Sequence, residues 1–346
     1  MAFYHVYNSE YILLCLIMIS QLASYLPASI LTNEMLAALY PGWSAEKIFE
    51  KTGIRERRIV GAGECASDLA YHAAERLFAG KKRAADFLLF CTQSPDYLLP
   101  TTACLLQHRL SLPTTCAALD FNLGCSGYIY GLSLANALIQ NGSADQVLLL
   151  TADAYSRLIH PMDKSTRTIF GDAGTATMLS KDSAVRIHSF VLGSDGSGGE
   201  QLMVKQGGAR NPKTEQSDVT IDDSGNVLDS NCLFMNGPEI FNFTIRAVPA
   251  LIRSILGKAK LSMDDIDLVV FHQANAFMLE HLRRKIGIQP DRFVVHIELC
   301  GNTVSSTIPL ALEHALKTGR LRRGMRVLLA GFGVGYSWGG CIVDWQ

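Results

Sequence analysis

Two stretches of this chain are copies of one another. Residues 125–142 (CSGYIYGLSLANALIQNG) and 302–319 (NTVSSTIPLALEHALKTG) share length, apolar spacing and a closing glycine at an offset of 177. Residues 86–94 (DFLLFCTQS) match 267–275 (DLVVFHQAN) at an offset of 181, and 146–150 match 326–330 at an offset of 180. Three matches at a near-constant offset confine the fold to two diverged copies of one unit, arranged about a pseudo-twofold axis. The repeat sets Cys91 opposite His272 and Cys125 opposite Asn302, so Cys125 belongs to one half and His272 and Asn302 to the other. The boundary is expected near Lys181-Asp182-Ser183, which gives an N-terminal half over residues 1–182 and a C-terminal half over 183–346.

Short apolar runs alternate with helical patterns, the signature of an α/β fold. Strands are expected at 12–22, 87–91, 116–122, 147–152, 175–179, 185–192, 268–271, 293–296, 327–331 and 341–344. Helices are expected at 33–39, 45–52, 65–77, 103–110, 126–140, 237–256, 276–286 and 304–317. Residues 194–236, rich in Gly, Asp, Ser and Asn, read as a long surface excursion over the second half, of the kind that often caps a site. The formal net charge of −1 excludes a global nucleic-acid or membrane electrostatic footprint. Nine scattered cysteines with no C-x-x-C pair argue for reduced thiols and a cytoplasmic setting, not for disulfides or a zinc site. The apolar run 11–19 is too short to span a bilayer and lacks a basic leader, so it is read as a buried first strand.

Cys125 stands in Gly124-Cys125-Ser126-Gly127 at the head of a helix, where the dipole and unpaired N–H groups favour a thiolate. Its own N–H is placed to face a developing oxyanion. Taken alone, this is equally a small core cysteine. His272 ends an apolar strand, where α/β sheets place their ligands, and alone it is equally a satisfied core residue. Asn302 alone is adequately explained as a helix N-cap. Their joint placement by the repeat points to one catalytic site.

On these residues the chain resembles the β-ketoacyl-acyl-carrier-protein synthase III family of the thiolase superfamily. The matching pieces are Ser24-Tyr25-Leu26-Pro27, Thr52-Gly53-Ile54-Arg55-Glu56-Arg57, the Cys125 elbow, Phe170-Gly171-Asp172, His272-Gln273-Ala274-Asn275, Gly301-Asn302-Thr303 and the glycine-rich residues 331–338. The resemblance implies a thiolase-like, internally duplicated five-layer αβαβα architecture and a ping-pong decarboxylative Claisen condensation. Cys125 would carry the acyl group, and His272 with Asn302 would hold the thioester carbonyl of malonyl-acyl-carrier protein. Val334 would share the acyl oxyanion hole, Asn275 would support His272 and Asn302, and Phe332 would desolvate the departing carboxylate. Arg283, Arg284 and Lys285 would dock the acyl carrier protein. Leu99 would line the acyl pocket of the partner subunit in a homodimer. No metal or redox cofactor is implied.

The chain also departs from the family pattern. Val334 stands where glycine is usual, which leaves the N–H and narrows the pocket. The tryptophan and arginine that stack an adenine in acyl-CoA-primed members are Lys47 and Lys164 here, with Trp43 one turn away, so an acyl-carrier protein is an alternative donor. Other readings are an acyltransferase or chalcone-type polyketide synthase with a different donor or acceptor, and a non-catalytic heterodimer partner.

Overall fold

The computed structural model describes residues 18–181, 185–215, 217–223 and 225–345. In chain order the elements are β1 (Met18–Tyr25), β2 (Ser29–Thr32), α1 (Asn33–Leu39), α2 (Ala45–Thr52), β3 (Glu56–Ile59), α3 (Ala66–Phe78), β4 (Phe87–Cys91), α4 (Thr102–Arg109), β5 (Ala117–Phe121), α5 (Gly127–Gln140), β6 (Gln146–Asp153), α6 (Lys164–Arg167) and β7 (Ala173–Ser180). They continue with β8 (Val185–Ser194), β9 (Leu202–Val204), β10 (Val219–Ile221), β11 (Val227–Asp229), β12 (Leu233–Met235), α7 (Gly237–Ala259), β13 (Leu268–Phe271), α8 (Ala276–Ile286), α9 (Thr307–Lys317), β14 (Met325–Gly333) and β15 (Ser337–Trp345). Residues 12–17 of the expected first strand, and Asp182 and Ser183 of the expected boundary, lie outside the described residues.

Two sheets repeat one topology. The first runs β1-β7-β6-β4-β5, with β4 parallel to β5 and β6 and with β7 antiparallel to β6 and β1. The second runs β8-β15-β14-β13, with β13 parallel to β14 and both other pairings antiparallel. A strand was expected at 293–296, and the segment, which stands where the first sheet has β5, forms only a bridge from Phe293 to Val269. The reason is local. The buried Gln273 side chain accepts from His296 N–H at 2.7 Å and donates to Val294 O at 3.3 Å, taking the place of ladder partners.

Strand side chains alternate between two buried faces, which is why these strands read as continuous apolar runs. Leu89, Val147 and Leu149 of the first sheet, and Leu268, Val270, Val327 and Leu329 of the second, point inward onto α5 and α9. Leu88, Phe90, Leu148 and Leu150 point outward onto Leu69, Ala73 and Leu77 of α3. Val269, Phe271, Leu328 and Ala330 point outward onto Val248, Leu251 and Ile255 of α7 and Leu279 and Leu282 of α8. The layers are therefore helix, sheet, helix pair, sheet, helix, with α5 and α9 in the middle. Each fully buried Leu, Ile or Phe stabilises this stack by roughly 1.5–3 kcal/mol. Helix α7 is 23 residues long and apolar enough to cross a membrane by length and composition. Here its apolar face is covered by the second sheet.

The excursion 194–236 contains a 3-10 turn and two small antiparallel pairs, β9 with β12 and β10 with β11. It does not simply lie over the second half. Leu202 and Leu233 join Cys125, Tyr155, Ile159, Phe170 and Val304 in one apolar cluster, so it caps the junction of the two halves.

Candidate active site

Cys125 lies between β5 and α5, in a turn closed by Gly127 N–H to Gly124 O at 2.8 Å. The end of β14 packs against this elbow more closely than any side chain would allow. A Cβ on Gly331 would meet the Cys125 carbonyl oxygen at 2.7 Å, and one on Gly333 would meet Cys125 Sγ at 2.7 Å and Cβ at 2.8 Å. The Ser126 hydroxyl lies 2.7 Å from that of Ser337, which donates to Val334 O at 2.8 Å. This ties the elbow to the turn whose Val334 N–H bonds the Cys125 thiol. The helix was expected to depress the thiol's pKa. Burial instead pushes it up to about 12, offset only in part by the N–H groups of Val334 and Cys125. The physical reason is position and dryness: α5 begins two residues further on, at Gly127, and Cys125 is buried.

His272 follows β13, its N–H donating to Ala330 O at 2.8 Å. Burial drives its pKa down to about 3, against a smaller opposing effect of the Val304 carbonyl, so the ring is neutral. Thr307 Oγ1 donates to Val304 O at 3.0 Å and lies 2.7 Å from His272 Nδ1. With the hydroxyl proton used there, Nδ1–H is the donor to Thr307. Nε2 is then a lone pair, facing Asn302 Nδ2 at 3.5 Å.

Asn302 is held by both halves. Its Oδ1 accepts from Val304 N–H at 2.9 Å, its N–H donates to Ile169 O at 2.9 Å, and its carbonyl accepts from Gly171 N–H at 3.0 Å. The loop carrying Ile169 and Gly171 is fixed by two groups of the motifs read in the sequence. Arg57, wholly buried, donates through Nε to Thr168 O at 3.0 Å and also bonds Asn33 Oδ1. Asp172 accepts from Val60 N–H at 2.8 Å and Ser156 N–H at 2.9 Å.

Cys125, His272, Asn302, Phe332, Asn275 and Gly333 all line one cavity of about 130 Å3. Phe332 stands edge-on to the imidazole, centroids 5.8 Å apart at 89°. Asn275 caps α8, its side chain accepting from Met278 N–H at 2.8 Å. Met235 and Gly237 line both this cavity and an outer one of about 440 Å3, which also carries Trp43 and Lys164. Lys47 does not line that cavity; its Nζ donates to Gly42 O at 3.0 Å and lies 5.5 Å from the centroid of the Trp43 ring.

The three expected docking cations differ in availability. Arg283 is only 17% exposed and is bonded to Glu280 at 2.7 and 2.8 Å and to Ile288 O at 2.7 Å. Arg284 also bridges to Glu280 but is 75% exposed, and Lys285 is exposed; both line a depression beside the exposed Phe277. Leu99 lies outside the Cys125 cavity, 86% exposed next to Leu98 at 93%. Sequence reasoning missed Thr307 and Asp153. Burial raises Asp153 to about 7, and it accepts from Gln93 N–H and Ser305 Oγ, both at 2.7 Å, so one carboxyl joins loops of both halves. A charge closing the apolar run LLLTAD was the available signal.

A model of the 3-oxoacyl-[acyl-carrier-protein (ACP)] synthase III C terminal matches residues 256–345, and one of 3-oxoacyl-[acyl-carrier-protein (ACP)] synthase III matches 119–196. The beta-ketoacyl-[acyl-carrier-protein] synthase III of Rhodopirellula baltica is 36% identical over 344 residues, covering 93% of this chain and 96% of its own length. That of Xylella fastidiosa is 37% identical over 322 residues, covering 92% and 95%. A crystal structure of a 3-oxoacyl-(acyl-carrier-protein) synthase III superposes with a TM-score of 0.93 at 53% identity, covering 95% of this chain and 99% of that one. A 3-oxoacyl-(acyl-carrier protein) synthase from Burkholderia xenovorans LB400 gives 0.85 at 38% identity, covering 94% and 93%. With identity at this level running through nearly the whole chain and the same fold throughout, this chain belongs to the beta-ketoacyl-[acyl-carrier-protein] synthase III family.

Proposed function

We propose that this protein condenses a Cys125-bound acyl group with malonyl-acyl-carrier protein and releases a 3-oxoacyl-carrier protein and carbon dioxide. The observation that carries the reading is the convergence of Cys125, His272 and Asn302, all buried and drawn from two halves, on one cavity. In the first half-reaction the unprotonated Nε2 of His272 takes the thiol proton as Cys125 Sγ attacks the donor thioester. The Sγ–acyl bond forms, the donor C–S bond breaks, and the proton passes to the leaving thiol. In the second, the malonyl carboxylate leaves as carbon dioxide and its bonding pair enters an enolate. The enolate oxygen is held by Asn302 Nδ2–H and by His272 in its Nε2–H tautomer. Between the half-reactions the ring exchanges protons with solvent, releasing the one on Nδ1 and taking one up on Nε2, and Thr307 serves the resulting tautomer by turning its hydroxyl from Val304 O to donate to Nδ1. The enolate carbon then attacks the acyl carbonyl, whose oxygen lies between the N–H groups of Cys125 and Val334, and Cys125 leaves as thiolate and takes up one proton from solvent, which balances the charge of the lost carboxylate. Each such oxyanion donor is worth roughly 2.7–4 kcal/mol of barrier. The steps draw on no metal or redox cofactor.

The substrate arm enters past Trp43 and Lys164, and the carrier protein rests on Arg284, Lys285 and the exposed Phe277. The active form is a homodimer. The exposed edge strand β5, with Leu119 46% exposed, and the loop bearing Tyr97, Leu98 and Leu99 support this reading, Leu99 closing the partner's acyl pocket. The eight described cysteines are free thiols, which fits a cytoplasmic enzyme.

Intact-protein mass after incubation with a panel of acyl-CoAs and acyl-carrier proteins, beside Cys125→Ala, tests the nucleophile and identifies the donor. The wild type is expected to gain one acyl mass that malonyl-carrier protein discharges. Absence of any adduct would overturn the reading in favour of a non-catalytic partner. Discharge by malonyl-CoA alone would favour the polyketide-type alternative.

A further inference from the structure

Thr244 lies in the middle of α7, wholly buried, and its hydroxyl has no hydrogen-bond partner. Three threonines turn Oγ1 back onto the carbonyl four residues earlier: Thr52 to Ile48 O at 2.7 Å, and Thr168 to Lys164 O and Thr318 to His314 O, both at 2.8 Å. Buried Thr102 and Thr303 share the lack of a hydroxyl partner, but neither lines the cavity of Cys125. Thr244 makes no such hydroxyl bond to the Ile240 carbonyl, although a hydroxyl buried without a partner is destabilising. Its place explains what it is kept for. Thr244 is on the wall of the cavity that holds Cys125, His272, Asn302 and Phe332.

Gly237, Ile240 and Thr244 line the cavity at spacings of three and four residues, so one face of α7 forms its wall. Gly237 also lines the outer cavity and marks the mouth. Thr244 is seven residues further along the helix, about 10 Å deeper. At that depth the two substrates differ. Both arrive on the same kind of thioester arm, but only the extender carries a carboxylate on the carbon next to its thioester carbonyl. None of the residues lining the cavity is a lysine or arginine, so a carboxylate bound there meets neutral donors only.

We propose that Thr244 is a specificity-determining residue for the extender, its hydroxyl donating a hydrogen bond to the malonyl carboxylate beside Phe332. The proposal rests on the reading that Cys125 carries the primer and a malonyl thioester follows it. A single neutral donor orients the carboxylate without neutralising the charge that drives decarboxylation. Since the bonded group is the one that departs, the contact belongs to the ground state. It lowers the KM for the extender and adds nothing to kcat.

The test separates the half-reactions in wild type, Thr244→Val and Thr244→Ser, with Thr244→Ala as a second truncation should the valine variant fail to fold. Primer acylation is followed by intact mass, and discharge of the acyl-enzyme by malonyl-carrier protein is followed by rapid quench. Loss of the hydroxyl is expected to raise the KM for malonyl-carrier protein about 5–10-fold with kcat unchanged or higher, to leave the acylation rate alone, and to be reversed by serine. An unchanged KM would overturn the proposal. So would an equal slowing of acylation, which would place the contact on the shared arm. A wild-type enzyme that forms no acyl adduct would instead defeat the broader reading, and this proposal with it.

Discussion

The resting Cys125 thiol is protonated, and alkylation by iodoacetamide as a function of pH makes that measurable. An ordinary cysteine titrates near 8.5, whereas burial holds this one near about 12. At any pH below 8 the thiolate fraction is then about 3.5 decades lower than for a free thiol. A more basic thiolate is also a better nucleophile, with a Brønsted slope of about 0.4–0.5, which returns roughly 1.6 of those decades. The net expectation is alkylation about a hundredfold slower than that of a small-molecule thiol at pH 7.5. The sharper signature is the shape of the profile. With His272 neutral down to about 3, no imidazolium stabilises a thiolate, so the logarithm of the rate should climb with unit slope from pH 6 to beyond 9.5. Steric shielding scales the whole curve without bending it. A plateau with a midpoint below pH 8 would show a thiolate already formed at rest, by the helix or by an ion pair with His272, and would refute the reasoning.

The neutral His272 also makes the fold acid-sensitive. Its folded pKa lies below the unfolded value near 6.5, so below pH 6.5 the unfolded chain binds a proton that the folded chain refuses. Well below pH 6.5 stability falls by roughly 1.4 kcal/mol per pH unit from this group alone, and the unfolding free energy from urea melts should fall by about 1.6 kcal/mol more between pH 6.5 and 5 in the wild type than in His272→Asn. Gly333→Ala places a methyl 2.7 Å from Cys125 Sγ and 2.8 Å from its Cβ. It should reduce acyl-adduct formation by about a hundredfold or more with an unchanged circular dichroism spectrum, and a wild-type adduct rate would contradict this. Thr307→Val removes the partner of His272 Nδ1. It should lower condensation at least tenfold and shift its pH profile, with rescue by Thr307→Ser. A valine variant with an unmoved profile would reduce Thr307 to packing.

Much of the architecture was legible because its elements carry their own boundary signals. Helices α1, α2 and α8 fall where they were expected, since Thr32, Ser44 and Asn275 cap their first turns, and Gly53 and Gly287 close α2 and α8 in the left-handed region. Strands β4 and β13 also match, because both of their faces are buried and their sequences are apolar throughout. The antiparallel pair of β2 with β3, closed across α1 and α2, was missed. Its second strand reads ERRI, and nothing in that string shows that Arg57 is wholly buried among carbonyls it satisfies. The pairing that withdraws Arg283 from the basic patch has a cause present in the sequence. Glu280 stands three and four residues before Arg283 and Arg284, the spacing at which helical ion pairs form. The N–H of Val334 was legible only through the family, since a backbone donor leaves no trace in composition.

The duplication explains why there is one site and not two. The repeat pairs Cys125 with Asn302 and Cys91 with His272, and three of these four side chains line the cavity. The fourth is sealed. Cys91 Sγ donates to Leu123 O at 3.0 Å, and a Cβ on Gly127 would come within 2.3 Å of it, so the first copy is packed solid where the second is open. At the position matching Gly127 the second copy has Val304, a β-branched residue held at φ +55°, a conformation that persists only when its surroundings enforce it. The enforcement is visible. From that backbone the Val304 N–H reaches Asn302 Oδ1, and its carbonyl receives Thr307 Oγ1 beside His272 Nδ1. One strained residue thus orients both polar groups that the second half brings to the nucleophile of the first. The glycine in the matching turn of the first half has no comparable duty, because what it must admit is the buried thiol of Cys91, the nearest of the side chains it faces.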